Sequence, residues 1–145
     1  MKKYRPMLYI LFANMLLLCC SCGFFGDQSY VCNIDAVESA QIIRLDKYVE
    51  GEYRYEYTVL SDIMDVSTFV DQVNHLEHSV NWGEPGQFNV GYVVIRINYS
   101  NGDFDLLYPN AQWLNRSGVN QDGFFFFNRE QFDALISDYW TALER

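Results

Sequence analysis

The chain has 145 residues, half of them hydrophobic and 17% aromatic, so its composition excludes a disordered protein and allows a substantial core. Its formal net charge of −9 disfavours binding to nucleic acid and to anionic lipid head groups, because like charges repel. The length favours one domain, and the acidity suits a basic protein or peptide as a partner.

The N-terminal segment combines a basic start, an apolar run and a cluster of cysteines. Lys2, Lys3 and Arg5 precede the apolar residues 7–18, and three of the four cysteines follow them. This order is typical of a secretory signal peptide. The segment resembles the signal peptide of bacterial lipoproteins, in which an aliphatic residue and two small residues precede the lipidated cysteine. The domain behind it is similar in general character to small uncharacterised bacterial surface lipoproteins.

Two cysteines fit the lipid-attachment position that this resemblance implies. Cys22 follows Ser21, the kind of small residue usual at the cleavage site, whereas Cys20 has Leu17 at the aliphatic position. We predict palmitate-type acylation of Cys22, with Cys20 as the alternative. The lipid would hold the protein to a membrane of the bacterial cell envelope, with the domain outside the cytoplasmic membrane. An uncleaved anchor over residues 7–25 would give the same orientation, because the basic flank stays inside.

The predicted organisation has three parts. Residues 1–22 form the signal peptide and anchor, residues 23–29 form a short tether, and residues 30–145 form one domain. Cys32 is the only cysteine of that domain. It could pair with Cys22 if Cys20 carries the lipid, and otherwise we expect a small, half-buried apolar side chain.

Alternation of apolar and charged residues predicts the first hairpin. Tyr53, Tyr55 and Tyr57 alternate with polar residues, as in a half-buried strand, and residues 42–47 are predicted to form the strand before it. A three-residue turn at 50–52 sets the register. The predicted pairs are Val49–Tyr53, Leu45–Tyr57 and Ile43–Val59.

A helix is predicted next, with Asp65 as its N-cap. Its apolar stripe consists of residues at helical spacing: Phe69, Val73, Leu76 and Val80. His75 and His78 would share the opposite face with Asp71, at a spacing that can hold a transition metal. No second donor cluster supports such a site, so we predict neither a metal nor a cofactor.

The pair Asn101-Gly102 predicts a second hairpin with a two-residue type I′ turn, in which both positions need a positive φ. The register that follows pairs Tyr99 with Phe104, Ile97 with Leu106 and Ile95 with Tyr108. It places Asp105 opposite Asn98 on the polar face. Two further strands are predicted at residues 111–115 and 123–127.

The last helix has several start signals. Asn128 is the predicted N-cap, Gln131 occupies the third helical position as in a capping box, and Phe127 with Phe132 can form a hydrophobic staple. The order ββα-ββββ-α predicts an α+β fold. We expect one antiparallel sheet of five or six strands with two helices packed on one face.

The sequence shows no catalytic constellation. It has two histidines, no Gly-x-Ser-x-Gly motif and no glycine-rich phosphate loop. We therefore expect a protein that is not an enzyme and acts as a binding, inhibitory or accessory module. The alternatives are a structural subunit of an envelope complex and a hydrolase that uses paired carboxylates.

An excess of Tyr and Trp indicates where binding would occur, because these residues supply large contact areas at low entropic cost. The partner would be a basic protein or peptide, or a glycan, and not nucleic acid. The candidate binding residues are Tyr53, Tyr55, Tyr57, Trp82 and Trp113.

Overall fold

The computed structural model describes residues 30–50, 54–81, 86–116 and 124–140. Within them the chain forms seven strands and two helices, which confirms the predicted α+β class. A 3₁₀ turn over Ile34–Ala36 precedes them. The elements are β1 (Val37–Val49), β2 (Arg54–Asp62), α1 (Val66–Asn74), β3 (His78–Asn81), β4 (Val93–Tyr99), β5 (Phe104–Tyr108), β6 (Ala111–Asn115), β7 (Phe124–Phe127) and α2 (Arg129–Trp140).

The strands are divided between two antiparallel sheets, whereas the sequence predicted one. The larger sheet has the order β2-β1-β4-β5-β6, and β3 pairs with β7 in the smaller one. The side chain of Gln112 on β6 connects them. Its amide accepts a hydrogen bond from the Phe125 N–H at 3.0 Å and donates one to the Phe125 carbonyl. The Gln112 side chain thus satisfies the N–H and the carbonyl of Phe125, which would otherwise need a neighbouring strand as their hydrogen-bond partner.

The first helix is shorter than predicted. Asp65 caps it as expected, since its carboxylate accepts a hydrogen bond from the Thr68 N–H at 3.1 Å. The helix ends at Asn74, and residues 78–81 form β3 instead of a further turn. Val80 therefore lies opposite Phe125 in the small sheet and not on the helical stripe.

The prediction that Asp71, His75 and His78 share one face of a helix is therefore wrong. His78 lies on β3, where its Nε2 accepts a hydrogen bond from the Tyr30 N–H at 3.1 Å, whereas His75 caps α1 near Asp71. No group of three or more His, Cys, Asp or Glu side chains in the described ranges is arranged to hold a metal ion.

The first hairpin has the predicted register over its central part. Leu45 faces Tyr57 and Ile43 faces Val59. A β-bulge between Leu45 and Lys47 then shifts the pairing by one residue, so that Val49 faces Arg54. Tyr53 and the turn residues after Glu50 lie outside the described residues.

The second hairpin has a register one residue away from the predicted one. Its loop has three residues, and the backbone N–H of Tyr99 donates a hydrogen bond to the Asp103 carbonyl at 2.9 Å. Gly102 has φ +88°, the left-handed conformation that such a loop needs at its last position. Ile97 therefore faces Asp105 and not Leu106, and a one-residue shift moves Asp105 to the other face of the sheet.

Both helices pack on the same face of the larger sheet, as predicted. Phe69, Val73, Phe132 and Ile136 from the helices share one buried cluster with sheet residues such as Ile95. The start of α2 is only partly as expected. The Asn128 side chain caps the Gln131 N–H at 3.2 Å, and the rings of Phe127 and Phe132 lie 6.2 Å apart. The Gln131 side chain accepts from the Glu77 N–H at 2.8 Å and does not complete a capping box.

A buried ionic cluster holds the start of the domain against the sheet. Asp105 is fully buried and accepts hydrogen bonds from the hydroxyls of Tyr30 and Tyr99, both at 2.7 Å, and from Arg116 Nε at 2.8 Å. Arg116 Nη1 also donates to the Val31 carbonyl at 2.8 Å. The cluster therefore includes hydrogen bonds between residues up to 85 positions apart in the chain.

Cys32 lies at the edge of this cluster. It is 2% exposed and carries a free thiol, and its Sγ is 3.3 Å from the Tyr99 hydroxyl. It is more deeply buried than the half-buried side chain expected. The Asn74 amide accepts from the Cys32 N–H at 2.8 Å and donates to its carbonyl at 2.9 Å. The two cysteines predicted for lipid attachment, Cys20 and Cys22, lie outside the described residues.

The free energy of unfolding should fall as the pH rises from about 9 to about 11. Burial raises the pKa of the Tyr30 and Tyr99 phenols and of the Cys32 thiol above their ordinary values of 10.0 and 9.0. Each group therefore stays protonated in the folded state at a pH where the unfolded chain loses the proton. Its contribution to stability is full below the ordinary pKa and is lost as the pH rises above that value towards the raised pKa of the folded state. Urea titrations between pH 7 and 11 test this. Tyr99→Phe should flatten the fall, and a constant stability up to pH 11 would contradict the expectation.

Candidate binding face

The face of the larger sheet that points away from the helices has a small apolar floor. Ile43, Leu45, Val94 and Leu106 are buried there in a second cluster, separate from the one beneath the helices. Successive residues of a strand point to opposite faces, so β1 contributes Ile42 to the first cluster and its neighbour Ile43 to the second. The central strands thus bury side chains on both faces, although helices cover only one.

Aromatic rings surround this floor and contact one another. The Trp113 ring on β6 lies 5.5 Å from Phe104 and 6.5 Å from Tyr55, in both cases edge to face. Tyr55 also lies 6.1 Å from Phe88 and 5.1 Å from Tyr48. Such edge-to-face contacts fix the orientation of the rings. The result is a continuous aromatic surface that runs across the sheet from β2 to β6.

Two adjoining pockets lie between these rings. One, with a volume of about 230 Å³, lies over Leu45 and Leu106 and is bounded by Tyr57 and Arg96. The other, of about 520 Å³, is lined by Tyr48, Phe88 and Gln112 among others. Tyr55 and Trp113 line both pockets and so form the wall between them. Their combined size falls in the range of small-molecule sites.

Arg96 is the charged centre of the smaller pocket. Its guanidinium carbon lies 4.5 Å from the centre of the Phe104 ring and 5.0 Å from that of Tyr57, so each ring face attracts the cation. Its Nε donates to Asn98 Oδ1 at 2.7 Å. Burial lowers the pKa of Arg96, which records the cost of removing a cation from water. We refer to Tyr55, Tyr57, Arg96, Phe104 and Trp113 as the aromatic face.

The structure brings together three of the five candidate residues predicted from the sequence. Tyr55, Tyr57 and Trp113 belong to the aromatic face, although they come from opposite ends of the sheet. Tyr53 and Trp82 lie outside the described residues. Arg96 and Phe104 were not predicted.

The wrong hairpin register explains why those two residues were missed. In the structure Leu106 faces Arg96 on one side and Trp113 on the other, whereas the predicted register set Leu106 opposite Ile97. An arginine on an alternating strand looks like a solvated side chain unless its neighbours across the sheet are known. The sequence signal that would have helped is the glycine at the end of a three-residue loop.

No known protein family, curated protein or solved structure matches the chain. In the ranges that the structure describes, no helix is long and apolar enough to cross a membrane. The most distinctive features of the described residues are the aromatic face with its two pockets and the buried ionic cluster. The ionic cluster is enclosed, whereas the aromatic face is open to a ligand.

Proposed function

We propose that the protein is a binding module, anchored through a lipidated N-terminal cysteine outside the cytoplasmic membrane of a bacterium, that takes its ligand on the aromatic face. The observation that supports this most directly is the set of preoriented rings around two adjoining pockets over an apolar floor. Rings already held by their neighbours lose little conformational freedom when a ligand binds, so more of the contact energy appears as affinity.

The exposure of the rings supports a ligand that lies across the surface. Tyr48 and Tyr57 are 42% and 40% exposed, whereas Leu45, which lines the smaller pocket with Tyr57, is fully buried. A ligand on these rings would remove further apolar area from water, at about 25 cal/mol per Å². Monomeric proteins rarely leave a continuous apolar surface open without a use for it.

An assembly subunit is the second candidate, and one observation favours it. Tyr57 and Val59 are both 40% exposed on β2, which is an edge strand of the larger sheet. Edge strands with exposed apolar side chains can pair with another chain. In this case the partner would be a large protein surface, and binding would persist at high salt.

The experiment uses the full chain in non-ionic detergent, immobilised and exposed to envelope and secreted material of the native host at low and high salt. We expect capture of one protein or glycan ligand, and Trp113→Ala should reduce it at least tenfold because the wall between the two pockets is lost. The matched control is Trp140→Ala, which removes a 37% exposed tryptophan on α2 and should leave capture unchanged. Capture that is insensitive to Trp113→Ala would reject the aromatic face as the binding site.

The anchor is tested in the same host with a clickable palmitate analogue. The full chain should incorporate the label, and Cys22→Ala should lose it while Cys20→Ala keeps it. Loss only in Cys20→Ala would assign the lipid to the alternative cysteine. Absence of label in the wild-type chain would reject lipidation.

A further inference from the structure

The electrostatics of the smaller pocket differ from those of the protein as a whole. The chain carries a formal net charge of −9, yet the two charged side chains among the described residues that line this pocket are Arg54 and Arg96. A basic ligand group would meet the like charge of Arg96 here. The pocket therefore favours an anionic group, and a basic partner would have to use the acidic surface elsewhere.

A comparison within the chain shows what Arg96 lacks. Arg116 is also removed from water, and the carboxylate of Asp105 neutralises it through several hydrogen bonds. Among the described residues, the only hydrogen-bond partner of the Arg96 guanidinium is the neutral amide of Asn98, and no carboxylate forms an ion pair with it. Two aromatic rings replace water around the cation without supplying a negative charge.

Such a half-buried cation is well placed to bind an anion. It has already lost part of its hydration, so the desolvation cost of an ion pair is partly met before a ligand arrives. The rings of Tyr57 and Phe104 hold the guanidinium, and its Nε is used by Asn98. The two Nη groups donate to no described residue and can supply two parallel hydrogen bonds to a carboxylate.

We propose that the aromatic face binds an acidic saccharide, with the carboxylate of a uronic acid on Arg96 and the sugar ring against Trp113. This inference rests on the proposed function and names its ligand class. The ring of Trp113 lines the same pocket as Arg96, so one ligand can reach both. The adjoining pocket beyond Tyr55 and Trp113 gives room for the next sugar of a chain.

The position of the site on a sheet face favours a saccharide over an extended peptide. Arg96 and Leu106 lie side by side on β4 and β5, which are inner strands with a paired neighbour on either side. A peptide lying over Arg96 would therefore find side chains but no strand edge, and its own backbone groups would have no ladder to join at this position. A sugar ring can place its apolar C–H face on the aromatic rings and keep its hydroxyls in water.

The acidity of the protein does not oppose this binding at contact distance. Exposed charges farther away than about 8 Å are largely screened at physiological ionic strength, whereas a half-buried pair is screened much less. Arg96 lies between its two rings at 4.5 and 5.0 Å, and a bound carboxylate would share that low-dielectric setting.

Calorimetric titration of the full chain in non-ionic detergent tests the proposal with three probes: tetragalacturonic acid, the neutral galactotetraose and tetraglutamate. We expect the acidic saccharide to bind at least tenfold more tightly than either of the other two. Arg96→Gln should weaken its binding at least tenfold. The matched control Arg44→Gln removes an exposed arginine paired with Asp46 and should change the affinity less than twofold.

A second variant protects the test against loss of folding. Arg96→Lys keeps the charge but lacks the planar fork, so it should retain the preference for the acidic saccharide at an affinity about three- to tenfold lower. Circular dichroism melting curves establish that the compared variants are folded. Unchanged affinity in folded Arg96→Gln would overturn the proposal.

The remaining outcomes separate this inference from the proposed function. Equal binding of the acidic and neutral saccharides, with loss in Trp113→Ala, would overturn the role of Arg96 but keep the aromatic face as a binding site. Tighter binding of tetraglutamate would replace the saccharide by an acidic peptide and overturn the ligand class. Binding of tetragalacturonic acid that survives Trp113→Ala would overturn both proposals.

Discussion

Asp105→Asn is expected to lower the free energy of unfolding by about 3–5 kcal/mol, the usual cost of breaking a buried ion pair by removing one partner. Asp105 is 0% exposed and accepts hydrogen bonds from Arg116, Tyr30 and Tyr99. An asparagine has nearly the same shape but leaves the guanidinium without a counter-charge, and its amide NH₂ faces groups that themselves donate. Since domains of this size are stable by only about 5–15 kcal/mol, the loss is a large fraction of the total.

Urea denaturation of the full chain measures this effect. Asp138→Asn makes the same chemical change on the exposed surface of α2 and should have little influence. The double variant Asp105→Asn/Arg116→Met should be more stable than the sum of the two single changes implies, because it removes the uncompensated cation as well. A cost for Asp105→Asn no larger than that for Asp138→Asn would show that the carboxylate is not enclosed as described.

This ionic cluster is a feature that the sequence did not predict. The apolar pattern of the second hairpin is compatible with two registers, because Leu106 and Leu107 are adjacent and both become buried. The predicted two-residue turn placed Asp105 in water. In the structure Asp105 is stabilised on the buried face by Tyr30, 75 positions earlier, and by Arg116, 11 positions later. Partners at such separations cannot be inferred from local alternation.

Local signals, by contrast, predicted local structure well. The cap residues Asp65 and Asn128 both begin helices, because a side-chain oxygen satisfies an N–H that the helix leaves unpaired. The first hairpin has its predicted central pairs Leu45–Tyr57 and Ile43–Val59. The helix prediction failed beyond Asn74, where the apolar spacing suited a helix but pairing with β7 determined the conformation.

The candidate site shows the same division between local and long-range information. The sequence named Tyr55, Tyr57 and Trp113 as candidate binding residues from the excess of large polar aromatics, and the structure places these three residues together. It did not identify Arg96, whose role depends on two rings from other strands. Composition can therefore indicate that aromatic residues are in excess, but the charged side chain at the centre of the aromatic face follows from strand order and register.

Phe69→Ala is expected to destabilise the fold by about 3–5 kcal/mol, because it opens a cavity in the core as well as removing buried apolar surface. Phe69 is 0% exposed and belongs, with Val73, to the part of the predicted stripe that lies on α1. Its ring meets the Tyr139 ring edge to face at 4.8 Å, so it connects α1 to α2 as well as to the sheet. Edge-to-face pairs contribute about 0.5–1.5 kcal/mol beyond the area that they bury.

Phe126→Ala is the matched control, since Phe126 is only partly buried on the small sheet, and it should cost about 1 kcal/mol. Urea titrations of both variants, read by far-ultraviolet circular dichroism, give the comparison. An equal cost for the two would mean that α1 does not pack on the sheet as described. Phe69 and Asp105 lie on the same side of the larger sheet. Similar decreases in the free energy of unfolding for Phe69→Ala and Asp105→Asn would therefore show that the apolar and the ionic parts of this core contribute comparably to stability.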